Sequence, residues 1–248
     1  MKSSYYKYFA ALLLFGSNGI VASNINLPSY EIVLLRLLLG SLFLITVFTV
    51  SRQRFTFYRN KHTCLYLFIS ASAMGASWML LYEAYQQVGI SIASLAYYCG
   101  PVIVMILSPF LFRETLTWPK IAGFLTVLAG MCLVNLQALD EGKTIWGLFC
   151  GLMSAFMYAL MVTANKKAKP ESGLENSLLQ LVIGSFIVVA FVSMQKNFVL
   201  SLTTIDWIPV LLLGLLNTGI GCYLYFSSIT DLPVPVSYTH LTLPTILR

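Results

Sequence analysis

The chain has 248 residues, 58% of them hydrophobic and only 10% charged, with a formal net charge of +6. Soluble domains carry about a quarter charged residues, so water is excluded as the main solvent of this chain and lipid takes its place. The lysines and arginines sit in short loops between apolar blocks and build no continuous face, which argues against nucleic acid as a partner.

The apolar blocks have the length a helix needs to cross a hydrocarbon core, roughly 20 residues. In chain order they predict eight spans: Tyr5 to Ser23, Tyr30 to Val50, Cys64 to Ala84, Ile90 to Leu111, Trp118 to Asn135, Ile145 to Ala164, Ser177 to Met194 and Ile208 to Ile229. Trp118, Trp146, Trp207, Tyr30 and Tyr58 fall at or beside span ends, where amphipathic rings prefer the interface. Only Trp78 among the four tryptophans lies deep within a span. Met1 to Ala22 has the lysines and apolar run of a signal peptide, but no small-residue cleavage site follows, so it reads as the first helix.

Alternate loops divide the basic residues unevenly. Lys2, Lys7, Arg52, Arg54, Arg59, Lys61, Arg113, Lys120, Lys166, Lys167 and Lys169 fall in one group, and only Lys143 and Lys196 in the other. The positive-inside tendency then places the amino terminus in the cytoplasm of a multi-pass inner-membrane protein. It predicts outer loops at Asn24 to Ser29, Gln86 to Gly89, Leu136 to Thr144 and Gln195 to Asp206.

The two halves match at an offset of 141 to 144 residues. Asn18 to Asn24 aligns with Ala159 to Asn165, Gly40-Ser41 with Gly184-Ser185, and Leu81-Tyr82 with Leu224-Tyr225. Five spans per repeat is an odd number, so the second copy enters the membrane upside down, an arrangement found in many secondary transporters. The expected fold is therefore all-α, a polytopic membrane helical bundle with an inverted repeat of five helices, of which three are present in the second copy. Residues 1–136 form the first repeat and 145–234 the incomplete second. Residues 235–248 are expected to be an atypical, non-native tail, because Ser237 to Arg248 is short, threonine-rich and interrupted by Pro244 where a ninth span should stand.

The run Tyr98-Cys99-Gly100-Pro101, continuing through Phe112-Arg113-Glu114-Thr115-Leu116 to Gly123 and Gly130, resembles the EamA-type members of the drug/metabolite transporter superfamily. Tyr82 and Ala84 leading to Ile90-Ser91-Ile92-Ala93, and Tyr225 leading to Leu232-Pro233-Val234, carry the same likeness. The resemblance implies ten helices in two inverted repeats and export of amino acids or similar small metabolites.

Among residues that could carry chemistry, Arg36 stands out, since a charge within a span costs at least about 2.5 to 3.5 kcal/mol on insertion scales. Counted from the outer span ends, Glu83 lies at a similar depth, so the two are expected to pair, either as a substrate or coupling site or as a structural ion pair. Asn18, Trp78, Tyr82, Tyr97, Tyr98, Tyr158, Gln180, Asn217 and Tyr223 are polar or amphipathic residues in apolar spans, and should face inward as cavity groups or as glue between helices. Pro101, directly after Gly100, is the expected bend of a gating helix, or a static kink. Gly147 and Gly151 form a GxxxG pair suited to helix packing, with a homodimer contact as a remoter option.

The loop from Arg52 to Lys61 carries Phe55, Phe57 and Tyr58, and anchoring at lipid headgroups is its plainest reading. Cys64, Cys99, Cys132, Cys150 and Cys222 show no CxxC spacing, so neither disulfides nor a metal site are expected. With His62 and His240 the only histidines and no GxxxxGK, neither a cofactor nor an enzymatic constellation is expected. The leading reading is a secondary carrier of a small-molecule substrate working by alternating access. A non-transporting membrane subunit and a lipid-acting membrane enzyme are the alternatives.

Overall fold

An apolar chain without water nearby must satisfy its own backbone, and the α-helix does this within one segment. In the computed structural model, residues 2–112, 118, 121–123, 125–126, 129, 145–194, 207–229 and 232 are described, and every regular element among them is helical. Helix α1 (Lys2–Gly16) breaks at Ser17 and resumes as α2 (Asn18–Ala22). Then follow α3 (Ser29–Val50), a 3₁₀ turn at Phe57–Arg59, α4 (Lys61–Tyr97), α5 (Cys99–Phe112), α6 (Ile145–Ala168), α7 (Gly173–Ser193) and α8 (Trp207–Ile229). Within α8, Leu212–Ile220 is π-helical.

Among the described residues, five segments are long and apolar enough to cross a membrane. One of them, Lys61–Phe112, has 52 residues, roughly 78 Å if straight against a hydrocarbon core of about 30 Å. It folds back at Gly89, where φ is 80° and ψ 163°, a backbone that side chains rarely tolerate. Two contacts demonstrate the reversal. Tyr97 faces Ser77, twenty positions earlier, and Ala84 and Ala96, on opposite sides of the turn, both pack on Gly151. The expected outer loop at Gln86 to Gly89 thus shrinks to one non-helical residue, because glycine makes the turn unaided. The predicted span from Ile90 is also divided, α4 ending at Tyr97 and α5 beginning at Cys99. Seven predicted spans coincide with described helices. The fifth, Trp118 to Asn135, falls mostly outside the described residues, as do Gly130, Lys143, Lys196 and the tail from Ser237 to Arg248.

The sequence offset reappears as paired contacts. A side chain at Gly184 would come within 3.0 Å of the Met74 methyl, and one at Gly40 within 2.8 Å of the Thr218 methyl. Gly184 and Gly40 are 144 residues apart, and so are Thr218 and Met74. Helix α7 packs on the first arm of α4 through Gly184, and α3 packs on α8 through Gly40. Gly147 and Gly151 settle α6 onto the reversal, against Val88 and Ala96.

Polar side chains tie these helices together inside the bundle. Ser77 Oγ donates to the Ser154 carbonyl at 2.9 Å and Ser154 Oγ donates to the Ser77 carbonyl at 2.6 Å, joining α4 to α6. Asn165 and Asn176 exchange amide hydrogen bonds of 2.9 and 3.1 Å, joining α6 to α7. Outward-facing positions are apolar instead, with Phe9, Leu13, Phe110 and Phe186 exposed.

Lys7, Gln53, Lys166 and Lys169 share one groove, and Arg59, His62, Lys167 and Lys169 the next. Of the basic residues that the charge pattern groups together, Lys7, Arg59, Lys166, Lys167 and Lys169 thus lie at one end of the bundle. There the Glu175 carboxylate, in the first turn of α7, accepts from the Thr56 N–H at 2.5 Å, the Thr56 hydroxyl at 2.6 Å and the Phe57 N–H at 2.9 Å. Phe55 stacks on Phe48 with ring centroids 4.6 Å apart and meets Phe57 edge-on. The aromatic residues of this loop fasten it to the helix ends.

Candidate functional site

Arg36 lies in α3, about two turns past the α3 start, and is 2% exposed. Its Nε donates to Thr218 Oγ1 at 2.9 Å and its Nη1 donates to the Tyr82 hydroxyl at 2.8 Å. The guanidinium carbon stands 4.2 Å from the centroid of the Trp78 ring, a stacked cation–π contact. Nη2 is shielded from solvent and has no hydrogen-bond partner.

Hydrogen bonds to charged groups contribute about 1.5 to 3 kcal/mol each, and a desolvated cation–π contact about 2 kcal/mol. Together they offset the insertion cost of the charge without any carboxylate. The expected pair between Glu83 and Arg36 does not form. Its carboxylate accepts from Gln87 Nε2 at 3.0 Å, one turn along its own helix. Depth along a span fixes height but not azimuth, and neighbouring helix residues point about 100° apart. Tyr82 takes the direction toward Arg36, so Glu83 is turned aside.

The Thr218 that holds Arg36 is itself held by the π-helical segment. Its hydroxyl donates to the Leu213 carbonyl at 2.7 Å, five residues back, in the wide turn that π geometry opens. The preceding residue, Asn217, presents Nδ2 at 2.9 Å from the Leu14 carbonyl, Ser17 Oγ and Asn18 Oδ1. Those acceptors surround the break between α1 and α2. The two irregular segments thus satisfy one another, as membrane-buried backbone requires.

Beside Arg36 lies a cavity of about 160 Å³. Asn18, Trp78, Tyr82, Tyr98 and Pro101 border it together with Arg36, so six of the sequence-predicted positions converge. Tyr97 and Tyr158 join them, while Tyr223 borders the basic groove near Lys7. Asn217 stands one hydrogen bond behind Asn18. Gln180 lies apart, fully buried, its Oε1 accepting from Ser70 at 3.2 Å and its Nε2 unpartnered. Pro101 occupies the first turn of α5, where a missing N–H costs little, and the Tyr97 carbonyl four residues before it loses its usual donor. The one-residue interruption between α4 and α5 at Tyr98 lies three residues before Pro101, beside the cavity.

Several contributors escape a sequence reading. Tyr85 and Tyr225 border the cavity, and Tyr225 exchanges a 3.0 Å hydroxyl hydrogen bond with Tyr158. Tyr85 sits one helical turn after Tyr82, and that spacing is the signal that could have found it. Glu31, in the first turn of α3, is 5% exposed with Oε2 unpartnered. Its position near a span end hid it among interfacial charges.

Known proteins resemble this chain in sequence and in fold. The Bacillus subtilis (strain 168) protein named uncharacterized transporter YxxF is 26% identical over 230 residues, covering 90% of this chain and 72% of that protein. Uncharacterized transporter YetK of the same organism is 26% identical over 244 residues, covering 94% of this chain and 74% of its own length. A crystal structure of another protein superposes with a TM-score of 0.75 at 18% identity, over 99% of this chain and 87% of that one, and so shares the fold. The EamA-like transporter family matches residues 3–136 and 145–244. The chain is a multi-pass membrane protein and belongs to the EamA-like transporter family.

Proposed function

We propose that this protein is a secondary active carrier of small metabolites, working by alternating access with its amino terminus on the cytoplasmic side of the inner membrane. The observation that carries the reading is the cavity beside Arg36, which is bordered by α1, α3, α4, α5, α6 and α8 and so by helices from both sequence halves. A solute held there touches both repeats at once, and a rocking motion of one against the other moves access from one face to the other. The names of the two Bacillus subtilis relatives, both transporters, support the same class. The clustering of Lys7, Arg59 and Lys166 to Lys169 at one end supports the orientation.

In this reading Arg36, Trp78, Tyr82, Tyr98 and Asn18 contact the solute, Asn217 braces Asn18, and the interruption at Tyr98 before Pro101 is the gating hinge. Amino acids and related metabolites, moved outward, are the first substrates to try. Flux measured in proteoliposomes against a panel of amino acids, nucleosides and organic acids tests the proposal. Accumulation of at least one solute beyond empty liposomes is expected, and a protein that inserts correctly yet moves none of them is not a carrier.

A further inference from the structure

Buried charges in proteins are normally matched by an opposite charge, and no carboxylate among the described residues meets Arg36. Its described contacts are a threonine hydroxyl, a tyrosine hydroxyl and a tryptophan face, all neutral, and Nη2 has none. Among the described residues bordering the adjoining cavity none is aspartate or glutamate, and Arg36 is the one basic residue. Among those residues nothing balances a guanidinium at one side of this space.

Its size and remaining lining narrow the choice of anion. A volume of about 160 Å³ is close to that of engineered apolar cavities that accept one benzene ring, roughly 150 Å³. Phe15, Leu81, Met161 and Phe226 supply apolar surface, while Tyr97 and Tyr98 offer ring faces and hydroxyls. Nothing there provides a carboxylate to meet an ammonium group.

We propose that this cavity binds a small organic monocarboxylate with a single-ring or similarly compact apolar body, the carboxylate lying toward Arg36 and the body among the aromatic residues. A zwitterion binds less well because its ammonium finds no anion, and a cation is repelled. The proposal rests on the carrier reading only for transport, since binding is tested separately.

Three probes share one phenethyl body and differ in charge, namely 3-phenylpropionate, phenylalanine and phenethylamine. Purified full-length protein in lipid nanodiscs is titrated with each and binding is read by calorimetry. Tryptophan fluorescence serves as a second readout, because Trp78 lies against the guanidinium. The expected order is anion, then zwitterion, then cation, spanning at least about tenfold from first to last, as a single charge partner of changed sign supplies. Acetate, which keeps the charge without the body, competes poorly.

Arg36→Lys preserves the order, and Arg36→Gln, with melting temperature unchanged, erases it. Should phenethylamine or phenylalanine bind as tightly as 3-phenylpropionate, or should none of the three bind to folded wild-type protein, the assignment is overturned. Acetate competing as well as 3-phenylpropionate overturns the single-ring body. The wild-type series needs no variant, so a misfolded Arg36→Gln leaves the test intact. If the protein transports some other solute and ignores 3-phenylpropionate, the carrier reading stands while this assignment falls.

Discussion

Replacing Arg36 by lysine keeps the charge but removes the planar fork that reaches Thr218 and Tyr82 together. A lysine ammonium can satisfy one of these partners and leaves the other unpaired in a buried site. Flux in proteoliposomes should fall by about tenfold, the effect of roughly 1.4 kcal/mol lost from one charge-assisted bond. Glu83→Gln should transport at close to the wild-type rate, because its carboxylate meets Gln87 and not Arg36. A Glu83→Gln protein that inserts normally but loses flux would return Glu83 to the mechanism. The contrast shows what residue chemistry reveals by itself. Arg36 was legible because a charge in lipid is costly wherever it points, whereas its partner depended on a rotation angle that depth cannot supply.

At the scale of elements, the turn at Gly89 and the latch at Glu175 carry the clearest consequences. Gly89→Ala places a Cβ on a residue with φ of 80°, at a cost of about 1 to 2 kcal/mol, so the melting temperature in detergent should drop by several degrees. An unchanged melting curve would mean that the two arms of α4 find another turn. Glu175→Gln replaces one accepting oxygen by an amide that cannot accept, breaking bonds to Thr56 or Phe57. The expected loss is about 1.5 to 3 kcal/mol, with faster proteolysis between Arg52 and Lys61 as the local readout. Ser172 caps α7 by accepting from the Glu175 N–H, and the spacing Ser172-x-x-Glu175 reads as a capping box. The carboxylate instead crosses to the loop between α3 and α4. Helix existence followed from apolar length, but the reversal at Gly89 and the π turn before Thr218 arise from packing that no window of sequence contains.

Across the whole molecule, orientation is the property most open to a direct check. Cys64 is exposed at the start of α4, near the basic end, while Cys150 and Cys222 are buried. A membrane-impermeant maleimide should label Cys64 only after the cytoplasmic face is opened, and labelling of intact cells would reverse the assigned orientation. Gly40 and Gly184, matched as dipeptides in the sequence, are both points where helices approach closely, and close approach tolerates no side chain. By itself the sequence determined that the chain lies in lipid and where seven of its spans run, since both depend on transfer energies read along one dimension. Only the tertiary structure decided that Arg36 meets no carboxylate among the described residues, that Tyr82 rather than Glu83 meets it, and that Asn217 supports the broken first helix. Those are questions of azimuth between helices distant in sequence, and packing in three dimensions alone sets them.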